Sequence, residues 1–156
     1  MCRSRSVTLL LVLLLGGAAT HGAGDDRWAV AVFPSGTEFA LEIAETVEEK
    51  RLGYMFRETV GPTDGMLFLY DEPAHHSFWM KNCRVALDLI FLDGSFRVVD
   101  ISADQPPCPA EGDCPSILPA RASQFVLEVA AGTAAREQLA LGDQLVVLAD
   151  PPISGR

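Results

Sequence analysis

Apolar positions along this chain recur mostly at a spacing of two. Phe39, Leu41 and Ile43 alternate with Ala40, Glu42 and Ala44, the pattern of a half-buried strand. Residues 29–33, 66–70, 78–82, 85–92, 96–101, 125–129 and 144–148 form further short apolar runs. Turn residues bound many of them, such as Pro34-Ser35-Gly36 and Gly61-Pro62-Thr63-Asp64-Gly65. Asp93-Gly94 is the strongest hairpin signal and joins 87–92 to 96–101. Only two segments read as helix. Thr46 and Glu49 fit a capping box, opening an amphipathic helix that ends near Arg57, with Gly53 as a break or a close backbone contact. Thr133 caps a second helix that runs through Leu139 and stops at Gly142. Seven or eight short strands with two short helices predict a mainly β fold, a compact β-barrel or sandwich. The strand–helix–strand alternation of a parallel α/β sheet is not expected.

One stretch breaks this pattern. Residues 77–93 place Lys81, Asn82 and Asp88 inside runs that otherwise read as buried strand. A buried charge without a partner costs ~3–5 kcal/mol, so these residues are either satisfied structure or part of a site. On strands, Trp79 and Lys81 share a face, as do Asp88, Ile90 and Leu92. One reading is a shallow pocket with Trp79 as a stacking platform, Lys81 as a cation, and Asp88 as its partner or a general base. The other is a structural network, with Asn82 capping a turn. Arg51 and Arg57 flank Gly53-Tyr54-Met55-Phe56 and suit a carboxylate or phosphate ligand. Alternatively they anchor the first helix through Glu42 or Asp64.

The N-terminus has the layout of a signal peptide. Arg3 and Arg5 precede an uncharged apolar run over residues 7–15, followed by Gly16-Gly17-Ala18-Ala19. A spanning helix needs about 20 apolar residues, so cleavage after Ala19 or Gly22 is expected, with an uncleaved anchor as the alternative. His21 leaves with a segment cut after Gly22. Cys2 precedes the apolar run, which argues against a lipoprotein. The expected organisation is a signal peptide at 1–22, one domain at 23–150 and a flexible tail at 151–156. Loss of residues 1–22 takes Lys+Arg from 12 to 10 against 21 Asp+Glu, so the charge moves from −9 to −11. So acidic a chain is a poor partner for nucleic acid and for anionic lipid. No stable membrane insertion is expected after cleavage. The protein would be periplasmic or secreted, where disulfides persist.

Cys83, Cys108 and Cys114 remain after cleavage. Cys108 and Cys114 lie in a Pro- and Gly-rich loop that gains from a crosslink of roughly 2 kcal/mol. A Cys108–Cys114 disulfide is predicted, and two cysteines with no nearby third ligand make a poor zinc site. Cys83 reads as a small buried hydrophobe or a reactive thiol. His75 and His76 are adjacent, so on a strand they would face opposite ways and could not readily share an ion. Met55, Met66 and Met80 read as core, with a copper site including Cys83 as the weaker alternative. Ser77, Ser95 and Ser123 lack a Gly-x-Ser-x-Gly context, and no P-loop or dinucleotide fingerprint occurs. No cofactor or metal is called for.

With these landmarks placed, the chain resembles the domain-of-unknown-function family 192, small and mostly exported prokaryotic proteins. The resemblance is carried by Phe39-Ala-Leu-Glu-Ile-Ala, Lys50-Arg-Leu-Gly-Tyr-Met-Phe-Arg57, Asp64-Gly-Met-Leu-Phe68 and Phe78-Trp-Met-Lys-Asn82. Leu87-Asp-Leu-Ile-Phe91, Phe125-Val-Leu-Glu-Val, Gly132 and Gly142-Asp143 continue it in the same order. Tyr54 stands where the family usually has Leu, and Cys83 where it usually has Thr. The resemblance implies a small β-barrel-like fold, supports the disulfide and implies no established activity. The polar set in strand context and the lack of a catalytic signature point instead to the expected function, a non-catalytic exported module that binds a small polar ligand or an envelope protein. The alternative is a hydrolase or lyase acting on an envelope or extracellular saccharide or acyl group. Asp88 would then be the base, and Lys81 or Arg57 the anion stabiliser. A structural accessory of a larger envelope complex is a third possibility.

Overall fold

The computed structural model describes residues 27–109 and 111–153. The proposed signal peptide lies outside the described residues. Seven strands form one sheet. They are β1 (Trp28–Val32), β2 (Glu38–Ala44), β3 (Asp64–Ala74), β4 (Leu87–Leu92), β5 (Val98–Gln105), β6 (Ser123–Ala130) and β7 (Val146–Ala149). Helix α1 (Val47–Leu52) links β2 to β3, and α2 (Thr133–Arg136) follows β6. The strand order is β5-β4-β6-β3-β2-β1-β7. Every neighbouring pair is antiparallel except β2 and β3, which α1 joins as a strand–helix–strand unit. One such crossover does not make the repeating alternation of a parallel α/β sheet, and the fold is mainly β as expected.

The sheet curls until its edges meet at one end. Val98 N donates to Asp143 O at 2.8 Å, Gly142 N to Val98 O at 2.8 Å and Leu145 N to Phe96 O at 3.0 Å. Arg97 adds side-chain bonds to Gly142 O and Gln144 Oε1. The edges do not pair along their length, so the result is a partly open barrel.

Two apolar clusters follow from the period-2 pattern. Phe39, Leu41, Leu67, Ile90, Leu92, Phe125 and Leu127 fill the concave interior. Met66, Phe68, Leu87, Leu89, Phe91 and Val126 face outward, covered by Tyr54, Phe78 and Met80 from the connecting segments. Every residue of β4 is therefore buried.

Three local expectations change. Residues 78–82 do not form a strand. Phe78 makes one isolated bridge with Ile117, and the chain then turns at Asn82, whose φ is +57°. Asparagine tolerates this left-handed backbone better than most residues. The first helix stops at Leu52, because its C-cap Gly53 turns away with φ +45° and ψ −131°. Thr133 is the first residue of α2 instead of its cap. Gly132 is the N-cap, with φ +80° and no side-chain bond.

The predicted capping box is present, with Glu49 N donating to Thr46 Oγ1 at 3.2 Å and Thr46 N to Glu49 Oε2 at 2.8 Å. Cys108 and Cys114 form a disulfide, and Cys108 N donates to Met80 O at 3.2 Å. The crosslinked loop thus lies against the Phe78–Asn82 segment.

Candidate functional site

The outward face of the sheet carries one buried acid. Glu128 lies on β6 between Met66 of β3 and Leu89 of β4, in line with Val126. It is 5% exposed, and its Oε2 has no hydrogen-bond partner. Burial pushes its pKa from the ordinary 4.5 up to about 8, opposed by the nearby Arg57 charge. Its carboxyl is therefore mostly neutral at pH 7.

Above Glu128 is a cavity of about 60 Å³, walled by Gly53, Tyr54, Phe68, Tyr70, Phe78 and Trp79 among others. The surrounding acids are held neutral. Burial raises Tyr54 well above the usual phenol range, Tyr70 to about 12 and Cys83 to about 11. The Cys83 thiol is consequently a poor nucleophile at neutral pH. His76 stacks on Tyr70 at 3.5 Å between centroids, and burial lowers its pKa. His75 Nδ1 lies 2.9 Å from Pro119 O.

Outside this cavity runs a groove of about 530 Å³, lined chiefly by apolar surface from Leu52, Met55, Phe56 and Trp79, with Arg51 and Lys81 at its rim. Leu52, Phe56 and Trp79 are 52%, 56% and 46% exposed. Phe56 holds a left-handed φ of +65°, and its N–H donates to Asn82 O at 2.8 Å. Asn82 is itself left-handed, and its Nδ2 lies 3.8 Å from Met55 Sδ. Two non-glycine residues in this backbone region thus join the two walls of the groove. Arg51, Leu52, Met55 and Trp79 line both groove and cavity.

The sequence-derived candidates divide between two faces. Trp79, Lys81, Asn82 and Arg51 meet at the groove, with Lys81 Nζ 5.4 Å from the Trp79 ring centroid. Arg51 also pairs with Glu48 at 2.9 Å on the surface. Arg57 forks onto both carboxylate oxygens of Glu42 and lies 4.9 Å from the Tyr54 ring centroid. Asp64 is exposed at the start of β3.

Asp88 stands apart from all of these. It is fully buried on the side of β4 that carries Ile90 and Leu92. Its Oδ2 accepts from Ala134 N at 2.7 Å, and its Oδ1 from Asp104 N at 2.8 Å and Gly132 N at 3.1 Å. It therefore caps α2 from another strand and holds β5.

Glu128 is absent from the sequence-derived candidates, although it is the one charge in the otherwise apolar Phe125-Val126-Leu127-Glu128-Val129. The cost argument applied to Lys81 and Asp88 applies to it equally. Among the described residues, no three His, Cys, Asp or Glu side chains could hold a metal ion together. No helix among them is long and apolar enough to cross a membrane.

The family model of domain of unknown function 192, described as an uncharacterised ACR, matches residues 30–147. The chain belongs to this family. It is also similar to the crystal structure of a Sinorhizobium meliloti protein to which transcription regulation has been ascribed. That match has 27% identity and a TM-score of 0.68, and covers 78% of this chain and 92% of the other. A Novosphingobium aromaticivorans protein of unknown function is 34% identical with a TM-score of 0.68, covering 76% of this chain and 83% of that one. Comparison with curated proteins finds no match.

Proposed function

We propose that this chain is an exported, non-catalytic binding module whose groove takes a small ligand with an apolar body. The observation that carries the reading is the gathering of exposed Leu52, Phe56 and Trp79 on one groove. Large apolar side chains scattered singly on a surface are ordinary, but their convergence on a concave site is not. The groove's size falls within the roughly 300–1,000 Å³ usual for small-molecule sites. Left-handed Phe56 and Asn82 strengthen the case, since such backbone costs of order 1–3 kcal/mol per residue and clusters at binding sites. Export is supported by the basic and apolar N-terminal pattern and by a disulfide suited to an oxidising compartment.

The competing reading, a hydrolase or lyase with Asp88 as base, has less support. Three backbone amides already occupy that carboxylate, and it lies on the sheet face opposite the groove. The binding reading is tested by following backbone amide and Trp79 indole NMR shifts while 1-hexanol is added. Shifts should concentrate at residues 52–56 and 79–82, and Trp79→Ala should weaken binding while the rest of the spectrum stays native. Shifts scattered over the surface, or unchanged affinity in the variant, would overturn it.

A further inference from the structure

The groove alone does not account for Glu128. A buried carboxyl in an apolar layer is costly, and here one oxygen has no partner although a cavity opens beside it. The cavity walls are aromatic, and the face of an aromatic ring attracts cations. The chain already uses one of these walls in that way: Lys50 Nζ rests 4.5 Å from the Tyr70 ring centroid. Resting on the binding reading above, we infer that the groove's ligand is an amine. Its apolar body lies along Leu52, Phe56 and Trp79, and its primary ammonium enters the cavity to pair with Glu128.

Space and charge agree with this assignment. A cavity of about 60 Å³ has room for a small head group and excludes a bulky anion. Of the nearby cations, Arg57 is matched by Glu42 and Arg51 by Glu48, and Lys50 lines the cavity with its ammonium on the Tyr70 ring. A metal ion is a weaker fit, since one carboxylate among aromatic rings offers too few oxygen ligands. The whole chain carries a net −9, which favours approach of a cation.

Entry of the ammonium requires the carboxylate, so the Glu128 proton leaves to solvent as the ion pair forms. The groups facing Glu128 do not confuse this linkage. Tyr54, Tyr70 and Cys83 stay neutral and Arg57 stays charged through pH 9. His76, stacked behind Tyr70, is held below its usual value and is neutral above pH 7.

The test is calorimetric titration of the wild type, Glu128→Gln and Trp79→Ala with hexylammonium, and with 1-hexanol as the uncharged isostere. With Glu128 titrating at about 8, hexylammonium affinity should fall about tenfold from pH 9 to pH 7 while hexanol affinity stays level. At pH 9, Glu128→Gln should abolish the preference for the amine and leave hexanol binding intact. Trp79→Ala should weaken both ligands. Equal, pH-independent binding of the two ligands would overturn the ammonium assignment and leave the groove reading standing. Binding of neither would overturn both.

Discussion

Gly53 ends α1 directly over Glu128. A Cβ placed on Gly53 would lie 3.4 Å from Glu128 Oε2 and 3.2 Å from the Phe68 ring. The glycine is thus favoured by its positive φ, and an added Cβ would also press on the Phe68 ring while only touching the acid. Gly53→Ala should strain the turn and narrow the cavity, at a cost of about 1–3 kcal/mol. A lowered urea midpoint, with loss of hexylammonium binding, would bear this out. An unchanged midpoint would mean that the turn relaxes without cost.

Glu128 sets a pH dependence of stability with a definite sign. Its pKa is about 8 folded against an ordinary 4.5, so the unfolded chain ionises it first. Stability is full below about pH 4.5, declines as pH rises toward 8 and levels off above. At ~1.4 kcal/mol per pH unit, the contribution lost by pH 7 is roughly 3 kcal/mol. Glu128→Gln should therefore raise the melting temperature at pH 7–8 and flatten this slope. A variant less stable than wild type at pH 8 would show that the carboxylate is compensated in the folded protein.

Asp88 holds structure, and its replacement should report on folding. Asp88→Ala leaves three amide donors of Asp104, Gly132 and Ala134 without their acceptor. A loss of about 3–5 kcal/mol is expected, by analogy with breaking a buried charged network. Hydrogen exchange should quicken at Ala134 and Asp104 in any fraction that still folds. Native stability combined with lost ligand binding would instead place Asp88 in the site.

The Cys108–Cys114 crosslink supports the segment that carries Trp79, through the bond from Cys108 N to Met80 O. Replacing both cysteines by serine should cost about 2 kcal/mol and weaken hexanol binding by loosening Trp79. Full stability in the double variant would confine the disulfide to its own loop.

Much of this fold is legible in the sequence, because alternation reports which residues share a sheet face. The shared face of Asp88, Ile90 and Leu92 follows from it directly. The capping box at Thr46 and Glu49 is likewise a local signal with a local outcome. The positions of Trp79 and Lys81 are not legible in the sequence, since a left-handed Asn82 ends the strand pattern and only tertiary bonding selects that backbone. In sequence Asp88 is a plausible partner for Lys81, because strand periodicity does not reveal that backbone amides of β5 and α2 converge on it. Glu128 carried a signal in its apolar strand, but its cavity is assembled by α1 and the Ser77–Trp79 segment, far apart in the chain.

The most direct measurement is an NMR titration of the Glu128 side-chain carboxyl carbon from pH 4 to 10, without and with saturating hexylammonium. The free protein should titrate near 8, and the bound protein well below that value, because the ammonium favours the carboxylate. An ordinary midpoint near 4.5 in the free protein, or one near 8 that the amine does not move, would contradict the account.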